Sequence, residues 1–198
     1  MANRRTCVLV LGMHRSGTSA FTGLLELLNF YIGEHLLATT TENEKGYFEN
    51  KIIYDFNEKA LHNIDSSWHD IFYNKNKLDM EIDSSELKRI IQNEFKNEPI
   101  FAIKDPRIPY LFPIYEQVFQ ELDIDIKILL PYRNPLEVAQ SLQKRNNFSL
   151  EKGMLLWAYN ILLAEEYSRK YDHVILSFDD LITSPKKSVE LLSDNFHI

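Results

Sequence analysis

The residues with the clearest chemical potential lie in a glycine-bearing segment near the start of the chain. Gly12 and Gly17 are separated by four residues, and Thr18 and Ser19 follow directly. A loop with this spacing, between a buried strand and a helix, presents backbone N–H groups that bind phosphate-like anions. Arg15 lies inside the loop and adds a cation. The segment therefore predicts an anion site; the alternative is a glycine turn that only joins a strand to a helix.

One position separates this loop from the loops that bind nucleoside triphosphates. Those loops carry a lysine that contacts the β- and γ-phosphates, and this chain has Thr18 in its place. A loop that keeps its backbone amides but lacks the lysine suits a diphosphate-like ligand without a γ-phosphate. We therefore expect a donor of that kind.

A second cationic segment begins at Arg133, directly after a predicted strand. Ligands of open α/β sheets bind beyond the carboxyl ends of the strands. Ser141 follows eight residues later, about two turns into the next predicted helix. A guanidinium and a hydroxyl at this spacing can bind one phosphate together. Taken alone, the pair fits an ordinary surface arginine and serine nearly as well.

Hydrophobic periodicity predicts the elements that must position these residues. Residues 6–11 form an apolar run without polar alternation, which is typical of a strand buried on both faces of a parallel sheet. Apolar residues at helical spacing follow over 18–30. Further strands are predicted at 100–103, 126–130 and 173–178, and further helices at 52–64, 84–96, 109–122, 135–145, 150–171 and from 184 onward.

This alternation of strands and helices predicts an α/β fold with a doubly wound parallel sheet flanked by helices. The segment 31–99 separates the first two strands and predicts a helical insertion after the first βα unit. The chain has 198 residues and no linker rich in Pro, Gly or Ser. We therefore expect a single domain over 1–198.

The composition excludes several classes of protein. Apolar residues make up 44% and charged residues 26%, as in ordinary globular proteins. The net charge of −7, from 22 basic and 29 acidic residues, argues against a nucleic-acid partner. A single cysteine, Cys7, excludes a disulfide framework and a multi-cysteine metal site. No apolar stretch approaches the roughly 20 residues of a transmembrane segment, so we expect a cytoplasmic protein.

Together these motifs resemble those of the PAPS-dependent sulfotransferases, where PAPS is 3′-phosphoadenosine 5′-phosphosulfate. Residues 14–19 are similar to the family's 5′-phosphosulfate loop, and Arg133 with Ser141 is similar to its 3′-phosphate motif. The resemblance extends over about residues 7–188. A further segment similar to the family is Phe178-Asp179-Asp180-Leu181. Two more segments resemble the family's bacterial branch that sulfates carbohydrates: Lys104-Asp105-Pro106-Arg107 and Gly46-Tyr47-Phe48-Glu49.

The resemblance implies a P-loop-like fold and transfer of a sulfuryl group from PAPS to a hydroxyl or amine of an acceptor. It implies a bacterial surface carbohydrate as the acceptor, adenosine 3′,5′-bisphosphate (PAP) as the product, and no metal. It assigns the 3′-phosphate, and the selection of PAPS over ATP, to Arg133 and Ser141. It assigns the 5′-phosphosulfate to Arg15, Ser16, Gly17, Thr18 and Ser19.

An attacking hydroxyl must lose a proton, so a general base is expected beside the donor. Glu49 is the first candidate because it lies in the irregular segment where acceptor loops of this fold lie; otherwise it is a solvated loop carboxylate. Asp105 is the second, although beside Lys104 and Arg107 it also fits a salt-bridged structural acid. His14 is the third, with positioning of the loop as its alternative. Lys104 either neutralises charge on the donor or pairs with Asp105.

Two other functions remain open on the sequence. A P-loop nucleotide kinase or NTPase would bind ATP with Mg²⁺. A non-catalytic nucleotide-binding module would keep Arg15, Arg133 and Ser141. It would tolerate the loss of Glu49, Asp105 and His14. Under the sulfotransferase hypothesis we expect two separated cationic pockets, which bind the two ends of a single adenosine nucleotide.

Overall fold

The fold is built on a parallel sheet of four strands. A computed structural model describes residues 4–39, 46–72, 75–78, 82–96 and 98–196. The strands are β1 (Arg5–Val10), β2 (Ile100–Lys104), β3 (Ile124–Tyr132) and β4 (Asp172–Ser177), in the order β2-β1-β3-β4. Val8 of β1 pairs with Ala102 of β2 and with Lys127 of β3. The predicted parallel α/β sheet is confirmed.

Helices connect the strands and cover both faces of the sheet. α1 (Thr18–Leu27) follows β1, and α2 (Lys51–Asn63), a 3-10 turn (Lys75–Lys77) and α3 (Ser84–Glu94) precede β2, which confirms the helical insertion. The remaining helices are α4 (Ile108–Glu121), α5 (Pro135–Asn146), α6 (Leu150–Ser168), α7 (Phe178–Thr183) and α8 (Pro185–Phe196). Among the described residues, none of these helices has the length and apolar character that crossing a membrane requires.

Successive side chains of β1 enter two different apolar layers. Cys7 and Leu9 belong to a layer formed with α2, α3, α4 and α6, whereas Val8 and Val10 belong to a layer formed with α1 and α8. All four side chains are fully buried. A strand covered on both faces needs no polar alternation, which explains the continuous apolar run in the sequence.

Several element boundaries differ from the prediction, and one short helix was not predicted. α1 ends at Leu27 rather than at residue 30, because Asn29 adopts a left-handed conformation with φ of 65°. β3 extends beyond the predicted 126–130, and the Lys127 ammonium within it lies 3.6 Å from an Asp172 carboxylate oxygen. The short helix α7 was not predicted; it begins where the Ser177 hydroxyl accepts hydrogen bonds from two backbone N–H groups.

The carboxyl ends of all four strands lie at one edge of the sheet, because the strands are parallel. β1 leads into the glycine loop, β2 ends at Lys104, β3 leads to Arg133 and β4 leads to Phe178. Segments that are far apart in the sequence therefore meet at this edge, where open α/β sheets bind ligands.

Candidate functional site

The glycine loop enters α1 without a side-chain cap. Gly17 precedes the helix in a left-handed conformation with φ of 85°, and no side chain there accepts a hydrogen bond from the first turn. A Cβ atom at Gly17 would lie 2.2 Å from the Phe178 ring, so both conformation and space require glycine. The first N–H groups of a helix have no partner within it. At this position they can bind an anion at the positive end of the helix dipole.

Arg15 joins the loop to the second predicted anion site. Its Nε donates a hydrogen bond to Ser141 Oγ at 2.7 Å. The Arg133 Nε donates to a Glu137 carboxylate oxygen at 2.7 Å, and its guanidinium lies 4.8 Å from the centroid of the Phe178 ring. The cationic sites that we expected to be separated therefore lie side by side.

Arg15 and Arg133 line the same cleft, which has a volume of ≈ 600 Å³ and is called the first cleft below. Gly17, Thr18 and Ser19 also line it. A cleft with cations near the loop and apolar groups on and beside α1 can hold a molecule with an anionic part and a flat apolar part. The apolar groups are Ala20, Leu24, Leu27, Phe48 and Leu181.

A second cleft, of ≈ 960 Å³, shares Arg15, Thr18 and Ser19 with the first. Because the two clefts meet at these residues, a group bound in one can reach a molecule bound in the other. The second cleft also contains three of the predicted catalytic residues and three aromatic rings: His14, Glu49, Lys104, Tyr47, Tyr54 and Trp68.

Glu49 and Lys104 form a buried ion pair in the second cleft. Lys104 Nζ donates to Glu49 Oε1 at 2.5 Å, and the two side chains are 1% (Lys104) and 7% (Glu49) exposed. The same Nζ lies 3.4 Å from Ser19 Oγ in the glycine loop. Burial raises the pKa of Glu49, although Lys104 opposes the shift. A carboxylate with a raised pKa beside the loop is suited to accept a proton from a hydroxyl.

Asp105 lies in different surroundings. It is completely buried and lines neither of the two clefts. Its Oδ1 accepts hydrogen bonds from the backbone N–H of Arg107 at 2.8 Å and from Arg107 Nη1 at 3.0 Å. Arg107 also forms an ion pair with Glu58 of α2. These contacts fit the structural alternative for Asp105, so it has no place as a base in the proposal below.

His14 lies against Trp68, with 4.3 Å between the ring centroids. Burial lowers the pKa of His14 well below its ordinary value, so the imidazole is neutral at neutral pH. Among the described residues, Nε2 has no hydrogen-bond partner. Surrounding cations lower this pKa further: Arg107, Arg145, Lys104 and Arg15.

Several residues of the second cleft were not predicted from the sequence, and two of them lie on one helix. Lys51 and Tyr54 lie on α2, and both line the cleft. The start of α2 carries a recognisable signal, because Asn50 Oδ1 accepts hydrogen bonds from the N–H groups of Ile52 and Ile53. No sequence signal indicates which side of α2 lines the second cleft. In the part of the chain that is described, no group of three or more His, Cys, Asp or Glu is arranged to hold a metal ion.

Comparison with known proteins supports the fold. No family model and no curated protein matches the sequence. The structure is similar to that of a sulfotransferase domain from the curacin biosynthetic pathway, with a TM-score of 0.58 and 14% sequence identity over 98% of this chain and 74% of that chain. The protein thus has the fold of a sulfotransferase domain, which confirms the expected P-loop-like architecture.

Proposed function

We propose that the protein is a PAPS-dependent sulfotransferase that transfers a sulfuryl group to a carbohydrate hydroxyl. The observation that carries this proposal is the meeting of two clefts at Arg15, Thr18 and Ser19. One cleft has the cations and apolar surface that a nucleotide donor needs, and the other contains a buried carboxylate for an acceptor. The likeness to a sulfotransferase domain supports sulfuryl transfer as the reaction.

PAPS binds in the first cleft in this proposal. Its 5′-phosphosulfate meets the amides of residues 17–19 and the Arg15 guanidinium, whereas the Ser16 N–H already donates to the Met13 carbonyl at 3.1 Å. Its 3′-phosphate meets Arg133 and Ser141. The adenine packs on the apolar side of α1 near Leu24 and Phe48. Two supporting observations are the α1 start without a side-chain cap and the two arginines that line this cleft in a chain of net charge −7.

The reaction is a direct displacement at sulfur. The acceptor oxygen forms a bond to sulfur while the bond between sulfur and the 5′-phosphate oxygen breaks, and its electron pair leaves with PAP. The hydroxyl proton passes to the Glu49 carboxylate, with His14 as the second candidate base. Lys104, which contacts both Glu49 and Ser19, stabilises negative charge that develops at the transferred group.

The aromatic residues of the second cleft support a carbohydrate as the acceptor. Tyr47, Tyr54 and Trp68 offer apolar ring faces for the C–H surface of a sugar. Charged groups beside them can bind sugar hydroxyls, so the cleft combines the two kinds of contact. We place the reaction in the cytoplasm, in keeping with the buried thiol of Cys7.

Ligand-dependent thermal stability tests the proposal. PAP is expected to raise the melting temperature, because a ligand that binds only the folded state stabilises it. ATP with Mg²⁺ is expected to raise it less than PAP at the same concentration. A larger shift with ATP and Mg²⁺ would support a kinase or NTPase instead. A PAP shift without sulfuryl transfer from PAPS to any of a broad set of carbohydrates would support a non-catalytic module.

A further inference from the structure

The second cleft differs in charge from the chain as a whole. The chain contains more acidic than basic residues, 29 against 22. Among the described residues that line this cleft, five are Lys or Arg and one is acidic. These residues are Arg15, Lys51, Lys104, Arg107, Arg145 and Glu49. A cleft lined mainly by one sign of charge concentrates the potential and attracts ligands of the opposite sign.

Two of these cations are held in buried or partly buried ion pairs, and a third belongs to the proposed donor site. Lys104 pairs with Glu49, and Arg107 pairs with Asp105 and Glu58. Arg15 faces both clefts and belongs to the donor site in the proposed function. Lys51, which pairs with Asp55, and Arg145, which also has partners of its own, are the two other cations of this cleft, and neither has a role in the proposed reaction.

The position of Lys51 is not explained by the stability of α2. Lys51 is the first residue of that helix, where the positive end of the helix dipole disfavours a cation. Its ion pair with Asp55 joins two side chains that are more than half exposed. Exposed pairs of this kind contribute little to stability.

Arg145 lies against an aromatic wall of the same cleft. Its guanidinium carbon is 5.4 Å from the centroid of the Trp68 ring, and its Nε donates to Asn146 Oδ1 at 2.7 Å. A guanidinium held near an aromatic ring keeps its charge and has a restricted orientation. The positive charge of Arg145 also lowers the pKa of His14.

We propose that the acceptor is an acidic carbohydrate, whose anionic group binds Lys51 and Arg145 while its reacting hydroxyl lies beside Glu49. The inference rests on the proposed function for the hydroxyl transfer and adds the charge of the acceptor. A carboxylate, phosphate or sulfate group would satisfy the same two cations, since each presents oxygen acceptors to them.

Binding of matched oligosaccharides to the PAP-loaded protein tests this inference. The panel contains neutral oligosaccharides and their carboxylated, phosphorylated and sulfated counterparts, and affinities are measured by calorimetry. At least one acidic member is expected to bind about tenfold more tightly than its neutral counterpart, which corresponds to about 1.4 kcal/mol. The ratio of the acidic to the neutral affinity is expected to fall as salt is added, because salt screens exposed charges. The anionic group that gives the largest ratio identifies the chemistry of the acceptor.

Substitutions assign the preference to the two cations. Lys51→Ala and Arg145→Gln are each expected to reduce the ratio several-fold. Lys144→Ala is the matched control, because Lys144 lies beside Arg145 in the last turn of α5 but does not line the cleft. The inference is overturned when no acidic member binds more tightly than its neutral counterpart, or when the preference survives both substitutions. Stabilisation by PAP, measured on the same samples, shows separately whether the proposed donor site is intact.

Discussion

Glu49 and Asp105 are both buried carboxylates near Lys104, but their partners differ. Glu49 lines the second cleft and pairs with Lys104, whose ammonium also contacts the glycine loop. Asp105 lines neither cleft and accepts hydrogen bonds from the Arg107 side chain and backbone. At the scale of single residues, the account therefore predicts opposite consequences for the loss of each carboxylate.

Glu49→Gln is expected to reduce kcat for sulfuryl transfer by about 10²–10⁴-fold, the range for loss of a general base. PAP affinity is expected to change little, because Glu49 does not line the first cleft. The measurements are steady-state kinetics and PAP titration. Unchanged turnover would move the base to His14.

Two further measurements test the assignment of Glu49 as the base. A base acts only when it is deprotonated, so kcat is expected to fall with decreasing pH through a pKa above the usual 4.5 of glutamate. This acidic limb is expected to disappear in Glu49→Gln. Glu49→Gln leaves the Lys104 ammonium buried without its carboxylate, which destabilises the folded state. The double variant Glu49→Gln/Lys104→Met removes both charges, so we expect it to stay folded and to lack turnover as well.

Asp105→Ala is expected to lower the free energy of unfolding by about 3 kcal/mol, because it leaves the buried Arg107 guanidinium with one carboxylate partner fewer. Chemical denaturation measures this change. The acidic limb of the kcat profile is expected to persist in the folded fraction. Its loss in this variant would return Asp105 to the role of base.

At the scale of elements, the path from β1 through the glycine loop to α1 positions the donor site. Gly17 allows the loop to pass over Phe178, and Phe178 in turn lies beside Arg133. The packing of one ring therefore couples the loop after β1 to the segments after β3 and β4.

Gly17→Ala is expected to destabilise the protein by about 2 kcal/mol, because alanine is strained at φ of 85° and its Cβ would collide with Phe178. PAP affinity is expected to fall as well, because the amides of the loop would shift. Denaturation and PAP titration measure the two effects. A variant with wild-type stability and affinity would contradict the proposed geometry of the loop.

Glu94 of α3 bonds to the side chains of two residues near Glu49, namely Asn50, which follows it in the chain, and His35 in the segment that pairs with it. It accepts hydrogen bonds from Asn50 Nδ2 at 2.7 Å and from His35 Nδ1 at 3.0 Å. The His35 segment pairs with the Glu49 segment, since the Lys51 N–H donates to the His35 carbonyl at 2.6 Å. Glu94 is thus a positioning residue for the predicted base.

Glu94→Ala is expected to lower kcat by about tenfold with little change in KM for PAPS, because a small displacement of the base slows proton transfer. Steady-state kinetics measures both constants. Glu94→Gln, which retains an acceptor for Asn50, is expected to restore part of the rate. Glu98→Ala is the control, because Glu98 lines the same small cavity as Glu94. An equal loss in the control, or a change confined to KM, would contradict the positioning role.

The sequence predicts the strand-loop-helix unit well because its signals are local. The apolar run of β1 and the glycine spacing follow from short-range rules, and the predicted strand 6–11 differs from Arg5–Val10 by one residue at each end. The second cleft could not be predicted in this way. Lys51 and Tyr54 of α2 line this cleft only through packing of the insertion on the sheet, which no local pattern encodes.

At the scale of the whole molecule, one edge of the sheet gathers cations in a chain of net charge −7. The loops after β1 and β3 bring Arg15 and Arg133 to the first cleft, and β2 brings Lys104 to the second. The fold therefore brings cations together locally in a chain whose net charge is negative. The proposal requires that one nucleotide with two phosphate ends occupies the first cleft.

Calorimetric titration with PAP and AMP tests this requirement most directly, because AMP lacks only the 3′-phosphate. The account predicts that PAP binds at least about tenfold more tightly than AMP, a difference of about 1.4 kcal/mol, and that Arg133→Ala reduces PAP affinity to that of AMP. Arg169→Ala, which breaks a similar i,i+4 pair with Glu165 at the surface, is expected to change neither affinity. Equal affinity of the wild-type protein for PAP and AMP would contradict the account.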